Sequence, residues 1–177
     1  STFNKGTLTV LPDSLVFFNT ILNTSATKVI AVKNNSNAVQ SITVVTVASP
    51  FSSDFTATRN INAGQTDTLH INFAPTVANN YSDTAVLQTS AGTYRIPVKG
   101  TGVANISSWV LEPATGHDYG NVQTGTSANF NFTIRNTGNT PITLNQVSTS
   151  NVAFTPTYTS GTVIASGATL NLPVAFN

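Results

Sequence analysis

Residues 61–73, INAGQTDTLHINF, decide the fold, because an altered copy, IASGATLNLPVAF, returns at residues 164–176. Each copy begins with Ile, has Gly three residues later, and then places Leu, a β-branched residue and Phe at alternate positions. Alternation after a glycine turn is typical of a β-strand with one buried face. The two copies, 103 residues apart, therefore predict two repeats of one β-domain.

Composition limits the possible partners. The chain has 177 residues, of which 40% are hydrophobic, enough to form the core of one large domain or two small ones. Only 7% are charged and the net charge is +1, so no basic field exists to hold nucleic acid or an anionic membrane. No apolar run approaches the roughly 18 residues of a membrane span. We therefore expect neither a nucleic-acid partner nor membrane insertion.

Cysteine and methionine are both absent from the chain. Disulfides, thiolate metal sites and cysteine nucleophiles are thereby excluded, and no sulfur is open to oxidation. Together with a surface of uncharged polar residues, this favours an extracellular or cell-surface protein. The first residue is Ser, from which we expect a processed N-terminus or an excised fragment.

The apolar residues alternate in short runs bounded by Gly, Pro, Asn and Ser, which predicts strands throughout. Strands are expected at residues 7–10, 14–18, 27–33, 40–48, 66–73, 84–89, 93–98, 106–111, 129–135, 142–149, 154–158 and 169–176. Residues 100–102, Gly-Thr-Gly, are interpreted as a linker. The predicted fold is all-β, with two tandem immunoglobulin-like sandwiches at residues 1–102 and 103–177. About seven strands are expected in the first and two fewer in the second.

Further motifs repeat in the same order. Residues 33–37, KNNSN, match residues 135–139, RNTGN, and residues 18–21, FNTI, match residues 119–122, YGNV. A Gly-Thr-Ser step at 125–127 follows in the second copy, and the first copy closes with IPVKGTG at residues 96–102.

This order of motifs resembles the ASPM, SPD-2, Hydin (ASH) module, which also occurs in bacterial surface proteins called choice-of-anchor D. The resemblance covers nearly the whole chain, although Asn19 and Ser36 stand where the second copy has Gly. It implies an immunoglobulin-like sandwich related to the major sperm protein fold. It also implies a spacer or interaction module rather than an enzyme, usually found in tandem.

The second copy ends at Asn177, whereas the first continues through the residues that complete its sandwich. One interpretation is that the sequence is a piece of a longer chain. The other is that a neighbouring subunit supplies the missing strands, as in donor-strand complementation, so that the protein builds a fibre or sheath. Under the second interpretation, the acceptor core consists of the apolar residues that alternate along the last strands: Phe130, Phe132, Ile134, Leu172, Val174 and Phe176.

Catalytic and metal-binding patterns are not found in the sequence. His70 alternates with Leu69 and Ile71 and is expected to face solvent, while Asp118 is expected to form a turn after His117. The six acidic residues are scattered, so no metal, cofactor or enzymatic activity is predicted.

Aromatic residues suggest an alternative function. Trp109, with Tyr119 or Tyr158, could stack on a sugar as in the accessory carbohydrate-binding module of a secreted enzyme, although Val110 and Leu111 favour a core or interdomain position for Trp109. A ciliary or centrosomal scaffold is a second alternative that the ASH resemblance implies. The favoured function is a non-catalytic structural or interaction module whose partners are further tandem domains or other protein subunits, including copies of itself.

Overall fold

The computed structural model describes residues 3–4 and 6–177 and confirms the predicted all-β fold with immunoglobulin-like sandwiches. The chain divides into two compact units, of which unit 1 ends at Ala104 and unit 2 begins at Asn105. No helix in the described part of the chain is long and apolar enough to cross a membrane.

Unit 1 is a complete sandwich of two five-stranded sheets. Its described strands are β1 (Phe3–Asn4), β2 (Leu8–Leu11), β3 (Leu15–Ile21), β4 (Ala26–Asn34), β5 (Gln40–Thr46), β6 (Phe51–Ser53), β7 (Arg59–Ile61), β8 (Thr66–Phe73), β9 (Asn80–Thr89) and β10 (Gly92–Val103). One sheet has the order β1-β2-β4-β8-β6 and the other β3-β10-β9-β5-β7. Between them lies a core that includes Ile30, Leu69 and Ile71 from the first sheet and Leu87, Ile96 and Val98 from the second.

Unit 2 repeats four of the five strands of the first sheet and only part of the second. Its strands are β11 (Trp109–Glu112), β12 (Ala128–Asn136), β13 (Ile142–Leu144), β14 (Phe154–Pro156), β15 (Thr162–Ile164) and β16 (Thr169–Phe176). A four-stranded sheet has the order β11-β12-β16-β14, and β13 pairs with β15 alone. In sheet order, β11-β12-β16-β14 corresponds to β2-β4-β8-β6 of unit 1. The β13–β15 pair corresponds to β5 and β7. The structure describes residues 105–108 and 113–127 and shows no strand in either segment. No strand follows β16 in the described residues.

The two units agree in register as well as in strand order. Ile30 lies opposite Leu69 in unit 1, and Phe132 lies opposite Leu172 in unit 2. The short pairs agree too, since Gln40 faces Ile61 and Ile142 faces Ile164. Because a one-residue slip would turn every side chain to the other face of the sheet, equal registers mean that equivalent residues face the core in both units.

A fully buried asparagine joins the two sheets in each unit. The side-chain amide of Asn34, at the end of β4, donates to the carbonyl of Ala38 at 2.7 Å and to that of Ile61 in the opposite sheet at 2.9 Å. Its Oδ1 atom accepts from the backbone N–H of Ser36 at 2.9 Å.

Asn136 makes the same three bonds in unit 2. Its amide donates to Thr140 O at 2.8 Å and to Ile164 O at 3.0 Å, while Oδ1 accepts from Gly138 N at 2.9 Å. Buried polar groups in folded proteins are hydrogen-bonded. This fully bonded amide therefore holds the two sheets together at the corner where they meet.

Several predicted elements need correction. Residues 100–102 are not a linker, because β10 continues to Val103 and pairs in parallel with β3. The strand predicted at 106–111 begins only at Trp109, since the carbonyls of Ile106 and Ser108 accept hydrogen bonds from the turn at 137–140. The strand predicted at 142–149 ends at Leu144. The described residues hold ten strands in unit 1 and six in unit 2, because short edge strands such as β6 and β7 carry too few residues for alternation to be visible.

Removing the buried amide of unit 1 should destabilise that unit. In Asn34→Ala, the buried carbonyl of Ile61 loses the amide that donates to it and the backbone N–H of Ser36 loses its acceptor, which we expect to cost at least about 2 kcal/mol. Asn37→Ala, an exposed site in the same turn, should change stability by less than about 0.5 kcal/mol. Urea unfolding followed by circular dichroism measures both, and equal midpoints for the two variants would contradict the role given to Asn34.

Candidate functional site

An open apolar groove lies in unit 2 between the four-stranded sheet and the β13–β15 pair. Its volume is about 810 Å³, and its apolar lining includes Trp109, Leu111, Ile134, Leu144, Val147 and Leu172. Ile134 and Leu172 belong to the small core of unit 2, together with Ile164 and Val174. The groove is therefore an opening into the core of the sandwich.

Comparison with unit 1 explains why the groove is open. Leu8 pairs with Asn34 in unit 1, and Trp109 pairs with Asn136 in unit 2. Leu8 is 0% exposed, whereas Trp109 is 58% exposed. The next pair of equivalent inward-facing residues differs in the same way, because Val10 is 0% exposed and Leu111 is 37% exposed. The expectation of a core position for Trp109 is therefore wrong in this structure, although its position in the sheet is that of a core residue.

In unit 1, strands β9 and β10 cover the part of the core that is open in unit 2. Their inward side chains, all buried, are Ala85, Leu87, Tyr94, Ile96 and Val98. They lie between β5 and β3 in the second sheet. Among the described residues of unit 2, no strand corresponds to β9, β10 or β3. The groove thus occupies the place of the residues that close unit 1.

One edge of β13 borders the groove. In unit 1 the equivalent residue of Thr143 is Ser41, whose N–H donates to Ser90 Oγ at 2.9 Å and whose carbonyl accepts from Ser90 N at 2.9 Å. Ser90 lies in the turn between β9 and β10. The backbone groups of Thr143 consequently face the open side, where an added strand or turn could bond to them.

Three aromatic rings meet at the far end of the core in each unit. They form the unit 1 triad, Phe17, Phe51 and Phe73, and the unit 2 triad, Tyr119, Phe154 and Phe176. The Phe73–Phe51 centroids are 4.9 Å apart and the Phe176–Phe154 centroids 5.0 Å. The Phe73–Phe17 and Phe176–Tyr119 distances are 5.6 and 5.7 Å. By these contacts Tyr119 corresponds to Phe17, one residue from the match that the sequence indicates.

The structure divides the predicted acceptor residues into groups. Ile134, Leu172 and Val174 are buried together, and Phe132 packs against them. Phe176 belongs to the triad, and the ring of Phe130 stacks on His117 at 3.7 Å. The assignment of all six residues to an acceptor site stays a prediction, and the groove adds Trp109, Leu111 and Leu144 to it.

The remaining predicted aromatics differ in environment. The Tyr119 hydroxyl donates to Val174 O at 2.9 Å, and burial raises the pKa of this tyrosine. Its ring is held in the triad, so only part of it is available to a ligand. Tyr158 is exposed and lies outside the lining of the groove.

The two histidines have structural roles. Asp118 Oδ1 accepts a hydrogen bond from Gly120 N at 2.8 Å, the side-chain-to-backbone bond expected for Asp118. His70 faces solvent as predicted, and its Nδ1 lies 2.9 Å from Asp54 Oδ2. No group of three potential metal ligands occurs in the described part of the chain.

Asp54 is held in its charged form. Partial burial alone would raise its pKa, but hydrogen bonds from the backbone and ring of His70 and from Arg59, with the Arg59 charge, lower the pKa to about 2. Arg59 reaches Asp54 Oδ2 at 3.2 Å and also donates to the Asp54 carbonyl at 3.0 Å. The cluster fastens the β6–β7 connection to β8.

Comparisons with known proteins agree with the fold. A family model described as a protein of unknown function, DUF1573, matches residues 112–177, which is most of unit 2. No curated protein matches the chain. The chain is similar to a crystal structure of a protein of unknown function from Porphyromonas gingivalis W83, with 22% identity, a TM-score of 0.50, and coverage of 97% of this chain and 84% of that one.

Two further solved structures are similar at lower scores. One is the ASH/PapD-like domain 7 of human CEP192, with 11% identity, a TM-score of 0.47, and coverage of 55% of this chain and 86% of that one. The other is the CsuC–CsuE chaperone–tip adhesion subunit complex of Acinetobacter baumannii, with 10% identity, a TM-score of 0.42, and coverage of 94% and 89%.

Acid should weaken unit 1 through Asp54. The pKa of Asp54 lies at about 2 in the folded chain, below the ordinary value of 3.8, so its contribution to stability is present above about pH 4 and is lost as the pH falls toward 2. Asp54→Asn should therefore lose less stability than the parent between pH 4 and 2. Urea midpoints across this range measure the difference, with Asp118→Asn in unit 2 as the control. Parallel losses in parent and Asp54→Asn would contradict this assignment.

Proposed function

We propose that unit 2 is a strand acceptor, and that the chain is a non-catalytic interaction module that binds an extended segment of another protein subunit in the groove. The observation that carries this proposal is the exposure of Trp109 and Leu111 at positions where unit 1 buries Leu8 and Val10 completely. An incomplete sandwich with an open core and a free strand edge is the geometry used in β-strand addition.

Two kinds of contact would stabilise the complex. Complete burial of a large apolar side chain contributes about 1.5–3 kcal/mol. Both Trp109 and Leu111 are exposed in the free chain and would be buried by a bound segment. Each backbone hydrogen bond made along β13 adds about 0.5–1.5 kcal/mol. Specificity would come from the side chains that enter the groove, since the backbone contacts are the same for any sequence.

The setting of this interaction is proposed from the composition and the motifs. Low charge and the absence of Cys and Met, with motifs that resemble choice-of-anchor D proteins, favour the surface of a bacterial cell or the space outside it. In that setting the chain would act as a spacer or, if each subunit fills the groove of the next, as a subunit of a fibre or sheath.

The only tryptophan of the chain is a direct reporter of this binding. A peptide of residues 75–103, the segment that closes unit 1, should shift the emission of Trp109 to shorter wavelength and reduce acrylamide quenching at least twofold. The reason is that the peptide places Trp109 in the environment that Leu8 has in unit 1. Quenching that stays constant up to high peptide concentration would contradict the proposal.

Variants at the β13 edge supply the control for this titration. Thr143→Pro removes the N–H that faces the groove and should weaken binding about tenfold, the equivalent of 1.4 kcal/mol. Thr143→Ala keeps the N–H and should bind like the parent.

A second candidate function is glycan binding in the same groove. It is favoured by the exposed indole of Trp109 beside the polar side chains of Asn145, Gln146 and Ser148, the combination of an aromatic platform and hydrogen-bonding groups that sugars require. A glycan array read with the parent and with Trp109→Ala tests it. Binding that is lost in a folded Trp109→Ala variant supports the candidate, and an array without signal removes it.

A further inference from the structure

We infer that the segment that fills the groove of unit 2 is a β-hairpin in which a glycine lies over the ring of Phe176 and pairs across the hairpin with an aromatic residue. This inference rests on the proposed acceptor function and specifies its partner. The template is the β9–β10 hairpin of unit 1, which closes a frame of the same strand order and register.

Two strands, rather than one, are required by the topology. In unit 1, β9 and β10 both lie between β5 and β3. Unit 2 has β13 in the place of β5, and Tyr119 in the place of the β3 residue Phe17, without either strand between them. Strands lie about 4.7–4.9 Å apart in a sheet, so a single added strand would fill about half of this space.

The glycine follows from the position of Phe73. A Cβ atom built on Gly100 would lie 2.6 Å from the Cζ atom of Phe73 and 2.7 Å from both Cε atoms. These are rigid ring atoms in a fully packed core, so no side chain larger than hydrogen fits. Phe176 has the same distances to its triad partners as Phe73 has to its own. A hairpin that closes unit 2 therefore meets the same requirement.

The aromatic residue follows from the partner of Gly100 in the hairpin. Gly100 lies directly opposite Tyr81, and the rings of Tyr81 and Phe73 pack edge to face, with centroids 5.6 Å apart and an interplanar angle of 64°. Because Gly100 has no side chain, the ring of Tyr81 packs against Phe73 beside it. Phe73 is fully buried as a result, whereas Phe176 is only partly buried.

The rest of the hairpin pattern is set by the core. Tyr94, Ile96 and Val98 precede Gly100 at alternate positions and are buried. An equivalent strand over unit 2 would place three apolar side chains in the groove against Ile134, Leu172 and Trp109. The turn of the hairpin would lie at Thr143, as Ser90 lies at Ser41.

Three peptides of residues 75–103 test this rule by titration against the full chain, with Trp109 quenching as the readout. The parent peptide should bind. Gly100→Val should bind at least tenfold more weakly, because its side chain meets the Phe176 ring. Lys99→Val adds a similar side chain on the outward face and should bind within about twofold of the parent. Phe176→Leu in the protein should recover most of the binding lost by the Gly100→Val peptide.

Each other outcome has a definite meaning. Equal binding of the parent and Gly100→Val peptides would overturn the glycine rule while leaving the acceptor function intact. Stronger binding of a peptide with residues 92–103 alone would overturn the hairpin. Strong protection of Trp109 in the free monomeric chain, without any peptide, would overturn the inference, because the groove would then already be closed. Failure of every peptide would reject the acceptor function itself.

A covalent form of the experiment avoids dependence on peptide folding. A second copy of residues 74–103 is attached after Asn177, with either Gly or Val at the copied position 100. The Gly form should protect Trp109 from acrylamide and raise the melting temperature of unit 2. Equal protection and melting in the Val form would overturn the glycine rule.

Discussion

In each sandwich, a buried asparagine amide joins the two sheets at one corner. Asn34 and Asn136 each connect the end of a strand in one sheet to the last residue of a short strand in the other. Neither amide bonds to β9 or β10 or to a substitute for them. The arrangement of the two sheets is therefore set by a bond that the closing hairpin does not share, and the frame of unit 2 can keep its geometry while its core stays open.

Because the amide that joins the two sheets does not involve the closing hairpin, two units with the same strand order can differ in how much of their core is covered. In unit 1 the hairpin is part of the domain, and the side chains beneath it are buried. In unit 2 the same positions carry exposed apolar residues, Trp109 and Leu111, and the ring of Phe176 is partly uncovered. The buried side chains of β9 and β10 in unit 1 therefore indicate which kinds of side chain would have to cover unit 2 to close its core.

Much of this architecture is predictable from the sequence, because repeats and alternation depend on local order. The match of residues 61–73 with residues 164–176 indicates two sandwiches, and alternation locates the long strands. The role of Asn136 is not predictable in this way, since Asn-Thr-Gly-Asn has the composition of a turn and burial depends on the opposite sheet. Gly100 likewise belongs to a strand only because Phe73, distant in sequence, excludes a side chain there. Trp109 has the pattern of a core residue, and only the missing cover makes it exposed.

Hydrogen exchange at β13, compared with β5 of the same molecule, shows whether the core of unit 2 is open. The amides of Ser41 and Thr143 are equivalent, but only that of Ser41 donates to a closing hairpin. In the free chain we expect slow exchange at Ser41 and fast exchange at Thr143, with Thr143 becoming slow when a hairpin occupies the groove. Equal, strong protection of the two amides in the free monomeric chain would contradict the claim that unit 2 is open.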